Sequence, residues 1–278
     1  MLNALVDTLA VSRLRSLVGA GDVVVLSGAG LSTESGIPDY RGPSGALRRH
    51  APMTYQAFVG DAAARHRYWA RSYLGWPQIA RARPNDGHRA VAALQGAGAL
   101  SGVITQNVDG LHQAAGTHDV VELHGGLDRT VCLGCGERAS RRDLDGRLRA
   151  ANPGFGAAVD NVNPDGDLEL SDAELVGFRM VGCLRCGGGP LKPDVVFFGE
   201  NVPRERVQRC FDLVDTAGAM LVLGSSLTVL SGLRFVRHAA QRGIPVAIVN
   251  QGPTRGDALA AVCVDAPLGE VLPALVRP

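Results

Sequence analysis

The chain has 278 residues, enough to bury a large core as one large domain or as a large and a small one. With 46% hydrophobic residues, 20% charged residues and a net charge of +1, its composition is that of a soluble globular protein. That balance gives no support to a nucleic-acid or membrane-surface binder, and no apolar run approaches the roughly 18 residues that would span a bilayer.

Met1 to Val18 lacks the pattern of a secretory leader or a transit peptide and is expected to form an amphipathic helix on the sheet of a cytoplasmic protein. Val23-Val24-Val25-Leu26 is too short for a helix and β-branched enough for a buried strand. Ser27-Gly28-Ala29-Gly30-Leu31-Ser32-Thr33 follows, where two glycines two apart would allow positive φ and close approach of a ligand to the backbone. A strand, a Gly turn and a helix start together suit an anion, although the full G-x-G-x-x-G pattern is missing and a plain tight turn stays open. Glu34 to Gly42 is too rich in Gly, Pro and charge for a helix and reads as a covering loop.

Tyr55 to Trp76 is helix-like, with aromatics interleaved with arginines. Pro84-Asn85-Asp86-Gly87-His88 is a capped helix start leading to Gly96. Val103-Ile104-Thr105 and Val120-Val121-Glu122-Leu123 are short strands followed by Gln106-Asn107-Val108-Asp109 and by His124-Gly125-Gly126. From Arg129 to Gly189 the composition turns polar, as in an inserted module. Strands resume at Asp194–Gly199, Met220–Ser226, Val246–Asn250 and Val262–Val264, with helices at Arg204–Ala217, Gly232–Arg242 and a weaker one at Thr254–Ala260.

Alternating strands and helices imply an α/β, Rossmann-like doubly wound parallel sheet, which binds ligands at the carboxyl ends of its strands. Gly28–Gly30, Gln106–Asp109, His124, Gly224–Ser226 and Asn250 all fall at those ends, so a nucleotide-like ligand is expected. Three units follow: the Rossmann-like part (residues 1–47, 77–128 and 190–278), a helical insertion (48–76) and a zinc-binding module (129–189). Cys132-x-x-Cys135 and Cys183-x-x-Cys186, with 47 residues between the pairs, offer four thiolates for one closed, structural Zn2+. Such a site has no open position for chemistry, and the free thiols fit a reducing compartment better than three disulfides. His124, presented to ligand by its strand, is a candidate general base. Gln106, Asn107 and Asp109 could bind sugar hydroxyls and a carboxamide, or merely cap a strand.

Gly28-Ala29-Gly30-Leu31-Ser32 with Gly36-Ile37-Pro38-Asp39-Tyr40-Arg41, Thr105-Gln106-Asn107-Val108-Asp109, Leu123-His124-Gly125, the two cysteine pairs, Lys192-Pro193-Asp194-Val195-Val196-Phe197-Phe198-Gly199-Glu200 and Gly224-Ser225-Ser226 resemble the sirtuins in order and spacing. The resemblance covers nearly the whole chain. Arg67–Arg71, Gly75–Gln78 and the long stretch with Pro164-Asp165-Gly166-Asp167 look like the class II branch that includes the mitochondrial lipoamidase-type sirtuin. A bacterial origin is expected, and the organelle does not carry over.

The resemblance implies an NAD-dependent protein lysine deacylase that consumes NAD as co-substrate. Gly28, Ala29 and Gly30 would cradle the diphosphate, with Ser32 and Thr33 beside them, and Asp39, Tyr40 and Arg41 would close over the ribose and nicotinamide. Gln106, Asn107 and Asp109 would hold the nicotinamide ribose and carboxamide. Gly224, Ser225, Ser226, Asn250, Gln251, Gly252 and Leu268 would line the adenosine end. The acyl oxygen attacks C1′ as nicotinamide leaves, giving an alkylamidate. His124 then takes a proton from a ribose hydroxyl, which attacks that intermediate, and Asn107 is counted as catalytic with it. Free lysine, nicotinamide and O-acyl-ADP-ribose are the products.

The acylated peptide would lie as an added strand between Val196-Phe197-Phe198-Gly199-Glu200 and Ser231-Gly232-Leu233. Tyr68 and Arg71 form a Y-x-x-R resembling the pair that binds a distal acyl carboxylate; they could equally belong to the helix's packing surface. Mono-ADP-ribosyl transfer and lipoamide removal would use the same NAD site. A non-catalytic sensor module is disfavoured by the presence of His124, Asn107 and Asp109. A dehydrogenase is disfavoured because Arg48-Arg49-His50 stand where an acidic ribose ligand would be expected. The expected partners are acylated lysines on proteins, with no nucleic acid or membrane, for a monomeric enzyme.

Overall fold

A computed structural model describes residues 8–40, 52–156 and 174–276, so that Arg41, Arg48–His50 and Pro164–Asp167 lie outside the described residues. In chain order come α1 (Thr8–Gly19), β1 (Val23–Ser27), α2 (Tyr55–Gly60), α3 (Ala62–Arg81), α4 (Asp86–Gly96), β2 (Leu100–Thr105), α5 (Leu111–Ala114) and β3 (Val120–Glu122). Then follow β4 (Gly125–Cys132), β5 (Arg138–Ser140), α6 (Arg141–Ala151), β6 (Leu191–Val195), α7 (Arg204–Asp215) and β7 (Ala219–Leu223). The chain finishes with α8 (Leu230–Gln241), β8 (Val246–Val249), β9 (Val262–Val264) and α9 (Leu268–Val276).

Six strands form one sheet in the order β3-β2-β1-β7-β8-β9, every neighbouring pair parallel. The uninterrupted apolar runs follow from burial on both faces. Val23 and Val25 of β1 face a layer built with Leu14 of α1, Val91 of α4 and Leu272 of α9. Val24 and Leu26 face the opposite layer, with Val214 of α7 and Phe235 of α8. The strand order reverses at β1, between β2 and β7. Loops leaving those strands therefore diverge and open a crevice at the carboxyl end.

A second sheet, β5-β4-β6, is antiparallel. Here the structure corrects the strand expected at Asp194–Gly199. The strand is Leu191–Val195, it pairs with β4, and it takes no part in the parallel sheet. Past Val195 the chain leaves the ladder, and Phe197 turns into an aromatic core with Phe58, Tyr68 and Trp69. β4 also begins at Gly125, ahead of the compositional change at Arg129. The long helix expected over Tyr55–Trp76 is two helices. Asp61 separates them, its carboxylate accepting from Ala63 N at 2.8 Å as the cap of α3. The weak helix at Thr254–Ala260 is a single 3-10 turn at Asp257–Leu259.

A buried cation lies where the cysteine-bearing segment packs on α3. Arg141, 1% exposed, lies over the rings of Trp69 and Trp76 with 5.4 and 5.0 Å to the centroids. It donates to Ser72 O at 3.1 Å and pairs with Asp145 at 3.6 Å. Arg141→Ala would leave Asp145 without that partner and a cavity between two indoles. Urea unfolding should show a loss of about 3 kcal/mol; a loss under about 0.5 kcal/mol, the range of an ordinary surface change, would contradict this packing.

Two histidines are buried beneath the crevice. His88 completes the capping box of α4 with Asn85, and its ring meets that of His112 at 5.2 Å. Burial pushes His88 down to about 3, helped by His112 and Arg89, and pushes His112 down to about 4. Below pH 6.5 the unfolded chain takes up protons that the folded chain refuses, so stability falls as pH drops from about 6.5 toward 4. His112→Asn should shrink the stability difference between pH 7 and pH 5 by about 2 kcal/mol in urea titrations. An unchanged difference would mean that His112 is not held neutral.

Candidate active site

The loops after β1, β2, β3, β7 and β8 enclose a cleft of about 760 Å³. Its floor is the contact between the loops after β1 and β7. Gly28 N donates to Leu223 O at 2.9 Å and Gly30 N to Gly224 O at 2.8 Å. A Cβ on Gly28 would stand 2.7 Å from Ser225 Cβ, and one on Gly30 would stand 2.9 Å from Gly224 Cα. This corrects the expected reason for the glycines. Gly28 is extended at φ −132 and neither residue has positive φ, so what glycine supplies is room for a second backbone. The left-handed position in this stretch is Gly36, φ 81. The floor leaves Ala29 and Ser32 facing the cleft.

A hydrogen-bonded ring fixes the polar wall. Asn107 Nδ2 donates to Gly28 O and to Ser32 Oγ, both at 3.0 Å. Ser32 Oγ donates to Asp109 Oδ2 at 2.6 Å, and Asp109 Oδ1 accepts from Leu111 N at 2.9 Å. Burial raises the Asp109 carboxyl above its ordinary range, against the lowering effect of the Ser32 bond. Gln106 Nε2 donates to Ser225 Oγ at 2.8 Å, tying the β2 end to the β7 end.

His124 sits between the two sheets' strands, with Nδ1 2.9 Å from Gln106 O and Nε2 2.8 Å from Ser231 Oγ. Burial lowers its pKa; the Gln106 carbonyl opposes this and the Arg206 charge adds to it. Arg206 is held nearby, donating to Leu123 O at 3.2 Å. Behind His124, Val196 N donates to His124 O at 2.8 Å, which sets the start of the Val196–Glu200 loop. That loop is clamped by Lys192, 3% exposed, whose ammonium pairs with Glu200 at 2.9 Å over the Phe197 ring. Val196, Phe197, Phe198, Gly199 and Glu200 all line the cleft.

Most of the residues singled out in the sequence meet here. Asp39 and Tyr40 line the cleft, as do Gly224, Ser225 and Ser226 on one side and Asn250, Gln251 and Gly252 at the far end. Five do not belong to that lining. Thr33 turns its hydroxyl back to Gly30 O at 3.0 Å, and Leu268 is buried behind the floor, where a Cβ on Gly224 would meet its side chain at 2.8 Å. Gly232 packs its bare Cα on Gln106. Tyr68 is 0% exposed among Phe58, Trp69 and Phe197, and neither it nor Arg71 lines the cleft. Conversely, Leu227, Met53 and Val202 line it without having carried a sequence signal as site residues, and Ser231, expected only as a flank of the bound peptide, lines it as well. Leu227 is held left-handed at φ 54, unusual for a branched side chain and a mark of a tightly determined loop.

The four cysteines gather as their spacing suggests. Their Sγ atoms lie within 4.8 Å of one another, with Cys132–Cys186 at 3.6 Å and Cys135–Cys183 at 3.8 Å. Tetrahedral zinc at about 2.3 Å from each sulfur would set them about 3.8 Å apart. Gly189 N donates to Cys186 Sγ at 3.4 Å, and a Cβ at Gly189 would run into Cys132 Sγ. The donor set fits a structural zinc.

Gly30→Ala would force the β1 and β7 loops apart at backbone atoms that cannot rotate away. We expect a stability loss of about 1–3 kcal/mol together with weakened nucleotide binding by calorimetry; wild-type binding in this variant would refute the floor's role.

A sequence model of the Sir2 family matches residues 28–231. The NAD-dependent protein deacetylase 1 of Streptomyces coelicolor is 63% identical over 253 residues, covering 91% of this chain and 84% of that protein. A solved Sir2 structure with a p53 peptide and NAD+ aligns with TM-score 0.75 at 30% identity, covering 95% of each chain. A second, with a deacetylated p53 peptide and 3′-O-acetyl ADP-ribose, aligns with TM-score 0.76 at 29% identity over 94% of this chain and 95% of that one. With the cleft, the parallel sheet and the cysteine cluster already in place, these likenesses settle the ancestry: the chain belongs to the Sir2 family.

Proposed function

We propose that the chain is an NAD-dependent protein lysine deacylase acting on acetyl-lysine, with NAD consumed as a substrate. The observation that carries this is the presentation of an imidazole, His124, into a cleft whose other walls suit a dinucleotide and an extended peptide. The high identity to a deacetylase and the Sir2 structures with NAD+ and with acetyl ADP-ribose support it. In this reading Gly28, Ala29 and Gly30 take the diphosphate, Ser32, Asn107 and Asp109 the nicotinamide ribose, and Ser225 and Asn250 the adenosine end. Asp39 and Tyr40 close the nicotinamide side, and Asn107 works with His124 at the reacting ribose.

The peptide adds as a strand between Val196–Glu200 and the start of α8. Its backbone supplies the bonds, so little side-chain sequence is read. The cleft excludes water and aligns the acyl oxygen with C1′, a gain from position more than from nucleophile strength. His124, neutral because it is buried, takes the ribose proton. Zinc, when bound by Cys132, Cys135, Cys183 and Cys186, holds the two knuckles together and supplies no reacting position. The clustered free thiols suit a reducing cytoplasm, and we read the enzyme as a monomer. Acyl groups without a terminal carboxylate are favoured, since Tyr68, the expected carboxylate donor, lies in the aromatic core.

His124→Ala should abolish deacetylation of an acetyl-lysine peptide while leaving urea stability within about 1 kcal/mol. Mass spectrometry on wild type should find nicotinamide and acetyl-ADP-ribose in equal amounts, with acetyl-lysine turned over faster than succinyl-lysine. ADP-ribose attached to the peptide in place of deacylation would sink the reading. A preference for succinyl-lysine would restore Tyr68 and Arg71 as the carboxylate pair.

A further inference from the structure

The nitrogen of His124 that must accept a proton is already engaged. A carbonyl can only accept a hydrogen bond, so Nδ1, 2.9 Å from Gln106 O, carries the hydrogen and Nε2 carries the lone pair. The atom 2.8 Å from Nε2 is Ser231 Oγ, and its hydroxyl is therefore the donor. We propose that Ser231 is a positioning residue for the base, aiming Nε2 into the cleft and then accepting Nε2–H once the proton has moved. The inference rests on the deacylase reading and deepens it.

The surrounding chain is arranged to bring Ser231 there. Ser231 is the second residue of α8 and lines the cleft, while Leu233, Phe235 and Val236 on the same helix are buried in the core. Gly232 allows the approach, because a Cβ there would stand 2.6 Å from Gln106 Oε1. Gln106 thus grips the imidazole by its carbonyl on one side and seats the start of α8 on the other. The loop before α8 is tied to the same glutamine, since Ser225 Oγ receives Gln106 Nε2 at 2.8 Å and Leu227 N approaches Ser225 Oγ at 3.3 Å.

The proton balance is direct. A ribose hydroxyl displaces the serine's hydrogen at the single lone pair of Nε2. Its O–H bond breaks and an N–H bond forms at Nε2; the ribose oxygen bonds to the acyl carbon of the alkylamidate as the π pair of that carbon's C=N bond withdraws onto the lysine nitrogen. The imidazolium is left in a buried place that disfavours it. Ser231 Oγ, by rotation about Cβ–Oγ alone, changes from donor to acceptor and takes a hydrogen bond from Nε2–H.

Departure of nicotinamide needs no base, so the two halves of the reaction can be read separately. Wild type, Ser231→Ala and Ser231→Thr would be compared for acetyl-peptide deacetylation and for exchange of labelled nicotinamide into NAD with the same peptide. In Ser231→Ala the ratio of deacetylation to exchange should fall at least about tenfold, a modest part of what a positioned base contributes. Ser231→Thr, which keeps the hydroxyl, should recover most of it. An unchanged ratio in Ser231→Ala would overturn the inference, whether both rates stayed at wild type or fell together as they would from a displaced loop. Wild-type protein that neither exchanges nor deacetylates would instead overturn the deacylase reading, and the inference with it.

Discussion

The constraint on which the site depends is the closeness of two backbones. The loop after β1 and the loop after β7 touch at Gly28 and Gly30 against Gly224 and Ser225, with no room for a methyl group between them. The parallel register of β1 with β7 delivers both loops to the same height, Ser27 opposite Leu223. The hydrogen bonds from Gly28 N and Gly30 N then lock them together. From this floor the polar wall follows, because Asn107 Nδ2 donates to Gly28 O and Gln106 Nε2 to Ser225 Oγ. Without the floor, the groups expected to face a nucleotide would have no common frame.

Beneath it runs a buried polar network that is well paired where it meets the cleft. Ser27 Oγ bonds to Thr105 Oγ1 and to His112 Nε2, both at 2.8 Å, and Thr105 Oγ1 accepts from Asn107 N at 3.1 Å. Asn85 Nδ2 donates to Leu31 O at 2.7 Å, bracing the other side of the floor from α4. Buried networks of this kind cost stability when one member is lost and define a single arrangement when all are present. The geometry at Asn107 and Asp109 is therefore set before any ligand enters.

The parallel sheet was legible because strands buried on both faces must be continuous apolar runs, and the polar groups after each run marked the carboxyl end. The cysteine cluster was legible because thiolate spacing reflects one ion's coordination. The antiparallel β4–β6 pairing was not, since Lys192-Pro193-Asp194 resembles no strand and the apolar residues beyond it serve an aromatic core. Tyr68-x-x-Arg71 shows how little a helical spacing says about which face meets the core. The Ser231–His124 bond joins residues 107 positions apart, and only the fold brings them together. At Gly28 and Gly30 neither φ is positive, and a sequence cannot tell a left-handed turn from a crowded one.

Trp69 and Trp76 are the chain's two tryptophans, and both rings stand over Arg141. The protein's intrinsic fluorescence therefore comes from one seam, where α3 meets α6, and none of it originates in the parallel sheet. An optical melt of this protein would follow the parting of that seam, while a far-ultraviolet melt would weigh the whole backbone. Coincidence or separation of the two curves would report whether the cysteine-bearing segment and the nucleotide-binding sheet unfold as one cooperative unit.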